Sequence, residues 1–156
     1  MHSYERSIAR NSAYGSGGII STAVLAAQGW KRTRRRMNQS EKKAFDLIKS
    51  LGFRVVPQVL IGAYTVDFLL PNEKVIIEVD GEPYHPDSAA RRRDTRRDGS
   101  LQKMGYLTIH IWTGTLFKTP KVAMKHILVR LYRELGIKSA ARGAARLYRK
   151  LDQRGA

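Results

Sequence analysis

The chain has 156 residues, enough for one domain with modest extensions, and its 42% hydrophobic content is sufficient for a core and excludes wholesale disorder. It contains no cysteine, so disulfides and thiolate zinc sites are excluded. Its 29 Lys and Arg against 13 Asp and Glu give a net charge of +16, which points to a polyanionic partner: nucleic acid ahead of an anionic membrane surface or a ribosomal neighbour. No apolar run approaches the roughly 20 residues of a membrane span, so no membrane association is expected. The apolar stretch from Gly17 to Ala27 lacks a clear cleavage site and reads as structure rather than a secretion signal, so the expected location is the cytoplasm.

Residues 1–18 are polar and punctuated by glycine, as in a terminal arm. Ser21–Gln28 is predicted as a short helix stopped by Gly29, followed by the basic run Lys31, Arg32, Arg34, Arg35 and Arg36. Two short helices around Gly29 would make a helix-turn-helix fragment. The chain here is too short for a full module, and a basic arm with Arg34, Arg35 and Arg36 on nucleic-acid phosphates is the simpler expectation. Ser40 is expected to cap a helix from Glu41 to Leu51, with Ala44, Phe45, Ile48 and Leu51 on one face and Gly52 as the stop. Phe53–Ile61 is the next candidate, a strand in which Pro57 marks an edge or a break.

Tyr64–Leu70 and Lys74–Asp80 are predicted as a hairpin around Pro71-Asn72-Glu73. An arginine-rich helix follows, from about Ser88 to Met104, closed by Gly105. Leu107–Trp112 alternates as a strand, with Leu107, Ile109 and Ile111 on one face and Thr108, His110 and Trp112 on the other. His110 and Trp112 are expected to cover the sheet beneath a helix. Thr119 and Pro120 open a helix through Leu135, striped by Met124, Ile127, Leu128, Leu131 and Leu135, and Gly136 ends it. Beyond it lies a basic, alanine-rich tail in which Arg142, Arg146, Arg149 and Lys150 have helical spacing, a second candidate backbone contact. The expected architecture is α/β, a mixed sheet flanked by helices with basic terminal extensions. Its expected divisions are an arm over 1–38, a domain over 39–136 and a tail over 137–156.

The hairpin carries the chemistry. With Asn72 and Glu73 at the centre of its turn, Val66, Phe68 and Leu70 share an apolar face with Val75, Ile77 and Val79. The opposite face carries Asp67, Glu78 and Asp80, and Asp67 lies directly across from Glu78, at a Cβ separation of about 5 Å. Like charges facing each other destabilise a sheet, and a divalent cation held by the carboxylates supplies a reason for them. Pairing with some of the many arginines explains one such acid more easily than three. A one-residue slip of register would move all of them to the other face.

Asp67 followed by Glu78-Val79-Asp80 resembles the PD-(D/E)XK nuclease signature. The longer string Val66-Asp67-Phe68-Leu69-Leu70-Pro71, Glu78-Val79-Asp80-Gly81 and His85 is similar to the very-short-patch-repair endonucleases, and more so to the uncharacterised nuclease-like domains allied to them. Arg97-Asp98, Leu101 and Gly105-Tyr106 continue the resemblance, over residues 39–115. It implies a restriction-endonuclease-like fold in which Asp67 and Glu78, joined by Asp80, bind Mg²⁺, with Mn²⁺ as a substitute. Asp80 stands where the superfamily usually has lysine, so another residue must orient the water or stabilise the transition state. His85 is the candidate for proton transfer. Glu41 matches an acid that many members add to the site, or else favours its helix N-terminus. Gln58 matches a polar site residue, or else is a strand-edge glutamine. The cysteine zinc site of the repair enzymes has no counterpart here, so their mismatch specificity does not transfer.

On this reading Arg91, Arg92, Arg93, Arg96 and Arg97 grip the backbone of a DNA substrate, tempered by local ion pairs with Asp94 and Asp98. The implied activity is metal-dependent hydrolysis of DNA phosphodiesters, of nicking, junction-resolving or homing type, in a bacterial or phage-encoded protein. A double-strand cut needs two sites, which leaves room for a homodimer. The alternatives are a catalytically silent, nuclease-derived DNA-binding protein and a basic RNA-binding protein, which leaves the carboxylates unexplained.

Overall fold

The computed structural model describes residues 22–33, 35–81 and 88–135. The glycine-punctuated start of the expected arm and the basic tail with Arg142, Arg146, Arg149 and Lys150 lie outside them. The elements in chain order are α1 (Thr22–Ala27), β1 (Trp30–Arg32), α2 (Gln39–Ser50), β2 (Val56–Ile61), β3 (Tyr64–Leu70), β4 (Val75–Asp80), α3 (Ser88–Lys103), β5 (Leu107–Trp112), α4 (Thr113–Lys118) and α5 (Pro120–Leu135). The strands form one sheet in the order β1-β2-β3-β4-β5. The first three neighbours pair antiparallel, and β4 pairs with β5 in parallel across the α3 crossover. This is the expected α/β architecture, a mixed sheet with helices on both faces. No helix among the described residues is long and apolar enough to cross a membrane.

Two apolar layers hold the sheet. On one face Phe68, Leu70, Val75, Ile77, Ile109 and Ile111 pack against α2, α4 and α5 through Ala44, Ile48, Leu116, Ile127 and Leu131. On the other, Val59, Ile61, Val66, Leu69 and Ile76 pack against Leu25 of α1 and Leu101 of α3, and Trp30 of β1 closes that layer. The basic run after Gly29 therefore opens with an edge strand, which its lysine and arginine content conceals. Trp30 fixes it, with its indole Nε1–H donating to the Tyr106 hydroxyl at 2.7 Å.

The hairpin register is the expected one: Phe68 faces Ile77, Leu69 faces Ile76 and Leu70 faces Val75. The face assignment needs one correction. Val66 lies in the layer opposite to Phe68, because side-chain alternation breaks between them. The same break occurs on β2, where Val56 and Val59 share a layer although three residues apart. Pairing runs from Pro57 with Phe68 to Val59 with Val66 and skips Gln58 and Asp67 between them. Gln58 has φ of +55°, a left-handed conformation that costs a non-glycine residue about 1 kcal/mol or more and reverses the pleat. Pro57 is tolerated although β2 is not an edge strand, because β1 pairs with β2 only from Val59 onward.

Asn38, not Ser40, caps α2. Its side chain accepts from the Glu41 N–H, and the Glu41 carboxylate accepts from the Asn38 N–H. A Ser40 cap would place Lys43 in the reciprocal position, where no acceptor is available. Helix α4 has no signal in the apolar spacing, yet its Leu116 is fully buried. Trp112 does not lie beneath a helix: it ends an edge strand and is 47% exposed. Leu135 of the expected α5 stripe is likewise exposed.

Candidate active site

Glu41, Gln58 and Glu78 are the buried polar or charged residues found among those described, and all three border Asp67 or its partners. Burial of such groups is unfavourable unless they are paired, and each is held by a different element. Glu41 comes from the capping box of α2: one carboxylate oxygen caps the helix, and the other pairs with Arg35. Gln58 comes from the pleat reversal on β2, and its Oε1 accepts from Arg35 Nε at 2.9 Å. Asp67 and Glu78 come from the hairpin.

The two hairpin carboxylates are fixed by backbone. Asp67 Oδ2 accepts from the Val79 N–H at 3.0 Å, and Glu78 Oε2 accepts a long contact of 3.4 Å from the Asp67 N–H. The break in pairing at Asp67 brings this carboxylate onto the main chain of the neighbouring strand. Arg97 of α3 closes the other side, donating from Nη2 to Glu78 Oε1 at 2.5 Å and to the Thr65 carbonyl at 2.9 Å. Arg35 Nη2 lies 3.5 Å from Asp67 Oδ1 as well as against Glu41. Burial pushes the Glu78 carboxyl up to about 7; Arg97 opposes this and the Asp67 charge adds to it.

Asp80 is separated from this pair by its own partners. Its Oδ2 lies 2.8 Å from His110 Nδ1, and His110 Nε2 lies 2.9 Å from Asp98 Oδ2. The hydrogen bond to Asp80 is the main influence raising His110 to about 9, against the opposing effect of burial; Asp98 adds to it. An imidazolium thus clamps β4, β5 and α3 together. This corrects the expectation that His110 simply packs on the sheet: its pairing beside Glu78 in the parallel ladder brings it to Asp80. Asp98 likewise serves the clamp rather than a local ion pair on the helix face. A carboxylate near the end of α3 cannot be matched to a strand histidine by spacing alone.

Of the other expected site residues, His85, Arg34 and the side chain of Arg91 lie outside the described residues. Arg92 and Arg93 are exposed on α3 and Arg96 is exposed beside them, while Arg97, expected with them as a backbone contact, turns onto Glu78. Arg35, expected in a phosphate-binding arm, is drawn into the carboxylates, and Arg36 is exposed beside it.

Among the described residues no three His, Asp or Glu side chains form a ready-made metal cage. The donor chemistry nevertheless fits a small hard cation. Asp67 and Glu78 present carboxylate oxygens side by side in a poorly solvated site, and Mg²⁺ is commonly held by one or two carboxylates, with water and substrate phosphate completing its shell.

The mixed sheet with helices on both faces, carrying Asp67 and the buried Glu78 on its hairpin, is that of a restriction-endonuclease-like protein of the PD-(D/E)XK-like nucleases. Within that class the chain belongs to the REase_MTES_1575 family, whose model matches residues 41–131. It is similar to the uncharacterized protein YcjD of Escherichia coli K12, with 25% identity over 103 residues, 64% of this chain and 86% of that protein. It is also similar to an uncharacterized protein of Haemophilus influenzae, with 28% identity over 105 residues, 65% of this chain and 85% of that one. Among solved structures, the catalytic domain of the homing endonuclease I-Bth0305I matches with a TM-score of 0.49 and 18% identity, over 63% of this chain and 97% of that domain.

Proposed function

We propose that this protein is a divalent-metal-dependent endonuclease that hydrolyses DNA phosphodiester bonds. The observation that carries the reading is the convergence of the buried Glu41, Gln58 and Glu78 with Asp67 at a single break in strand pairing, an arrangement that costs stability and adds nothing to the core.

Asp67 and Glu78 are the residues that would hold the cation. When bound, it supplies Lewis-acid polarisation of the scissile phosphate and lowers the pKa of a water. The chain's own groups do the remaining work. The Val79 and Asp67 amides orient the two carboxylates before substrate arrives, so no reorganisation is needed there. Arg97, anchored on the Thr65 carbonyl, supplies positive charge in a site where Asp80 replaces the superfamily's lysine. Asp80 in turn is held by the His110 imidazolium, which keeps the end of β4 in register with β5. Arg92, Arg93 and Arg96, on the same helix as Arg97, meet the backbone phosphates. His85 is the proposed proton-transfer group.

The test is incubation of supercoiled plasmid with the purified full-length protein in Mg²⁺, Mn²⁺ or EDTA, beside a Glu78→Ala control. Metal-dependent nicking or linearisation that disappears in the variant is the expected result. Tight binding without cleavage of plasmid, mismatched or branched DNA in either metal would overturn it in favour of a silent, nuclease-derived binding protein.

A further inference from the structure

Arg35 touches three polar residues of the site. Its Nε donates to Gln58, its Nη2 pairs with Glu41, and the same nitrogen reaches Asp67. These contacts are unequal. The Asp67 approach, at 3.5 Å, is an ion pair at the outer limit of hydrogen-bond reach. Arg97, by contrast, is tied at short distance both to Glu78 and to a backbone carbonyl. Arg97 is therefore anchored on its acid, whereas Arg35, held by Glu41 and Gln58, reaches its most exposed acid, Asp67, only loosely.

The placement of Arg35 lets it move. Its side chain is 54% exposed, over a Glu41 side chain at 5% and an Asp67 side chain at 18%, so it caps the acids from the solvent side. It lies between β1 and α2, outside any helix or strand, and can be withdrawn without breaking an element. With Trp30, Lys31, Arg32 and Thr33, beside the apolar Leu25, it also lines a cleft of roughly 770 Å³ whose three cations suit a phosphodiester strand. Beneath it, Gln58 Nε2 is buried without a hydrogen-bond partner. An amide donor left unsatisfied beside an arginine is complementary to an incoming anionic oxygen.

We propose that Arg35 is an exchangeable counter-cation of this site: in the free protein it neutralises Asp67, and on arrival of a phosphodiester it leaves that carboxylate for a phosphate oxygen, releasing Asp67 to the metal. The inference rests on the nuclease reading above and adds a coupling to it. Two cations that compete for one carboxylate weaken each other, so the free protein binds divalent metal less tightly than its acids alone would allow. Phosphate engagement removes the competitor, and metal and DNA then bind with positive, reciprocal cooperativity. The arginine fork suits this exchange because carboxylate and phosphate offer it the same paired-oxygen geometry.

The experiment is a Mn²⁺ titration followed by electron paramagnetic resonance on the full-length wild type, Arg35→Gln and Arg35→Lys, each alone and with a phosphorothioate duplex that resists cleavage. Without duplex, Arg35→Gln is expected to bind Mn²⁺ about two- to fivefold more tightly than wild type, the range of a partly exposed ion pair. The duplex should then tighten Mn²⁺ binding in wild type by more than in Arg35→Gln, where only the phosphate's own contribution to the metal shell remains. Arg35→Lys keeps the charge but not the fork and should fall between them; it decides the matter if a melting curve shows that Arg35→Gln has not folded. Variants that bind Mn²⁺ no more tightly than wild type, or a duplex effect of equal size in all three, would overturn the exchange. An Asp67→Asn protein that binds Mn²⁺ as wild type does would instead remove the metal reading itself, and the exchange with it.

Discussion

Burial holds the Glu78 carboxyl near 7, while in the unfolded chain it ionises near 4.5. Below pH 4.5 both states carry the proton and the group has no effect. Between pH 4.5 and 7 the folded state keeps a proton that the unfolded state has released, so stability falls as pH rises, by an amount on the order of 3 kcal/mol at most. Glu78→Gln removes this slope. Urea unfolding at pH 5 and pH 8 should show wild type losing stability relative to the variant, while the variant has no cleavage activity. His110 gives a second window. Its folded value near 9 lies above the ordinary 6.5, so its contribution is fully present below pH 6.5 and fades as pH rises through 9. His110→Gln should flatten that part of the stability profile, and a wild-type curve already flat between pH 7 and 10 would refute the clamp. The acids Asp67 and Glu78 are legible as residues because the turn composition sets the hairpin register that places them opposite each other. The arginines that answer them are not, since a guanidinium at the end of a long side chain leaves no periodic trace. Nothing in the spacing separates Arg97 from Arg96.

At the level of elements, the strongest periodic patterns translate directly. The hairpin register follows from its turn composition, and β5 and the main stripe of α5 follow from alternation and apolar spacing. What spacing does not supply is β1, whose three residues are too short for a period and sit in a basic run. The pleat reversal at Gln58 is equally hidden, since a left-handed backbone at a non-glycine residue depends on the partner strand. The helix cap lies two residues before the expected Ser40, and the difference matters to function. Asn38→Ala should destabilise the protein by about 1 kcal/mol in urea unfolding. It should also lower cleavage, because losing the Asn38 side-chain acceptor loosens the first turn of α2, which carries Glu41 to Arg35. Phe68, fully buried beside the site residue Asp67, sets the scale for the core: Phe68→Ala should cost about 3–5 kcal/mol.

For the whole molecule, the net charge of +16 predicts polyanion binding that weakens with salt. Replacing Arg92, Arg93 and Arg96 together with alanine should reduce the slope of log affinity against log salt by about 0.9 for each phosphate no longer neutralised, measured by fluorescence anisotropy on duplex DNA. An unchanged slope would show that α3 faces away from the nucleic acid. The site itself draws on much of the described chain: Arg35 precedes α2, Glu41 begins it, Asp67 and Glu78 lie on the hairpin, and Arg97 is on the crossover helix. During synthesis the acids leave the ribosome before α3 and β5 do, and the carboxylates then lack both the Arg97 partner and the strand that holds His110 against Asp80. A growing chain therefore carries these acids for many residues without the frame that aligns them, and the proposed cleavage is expected only once the parallel strand has docked.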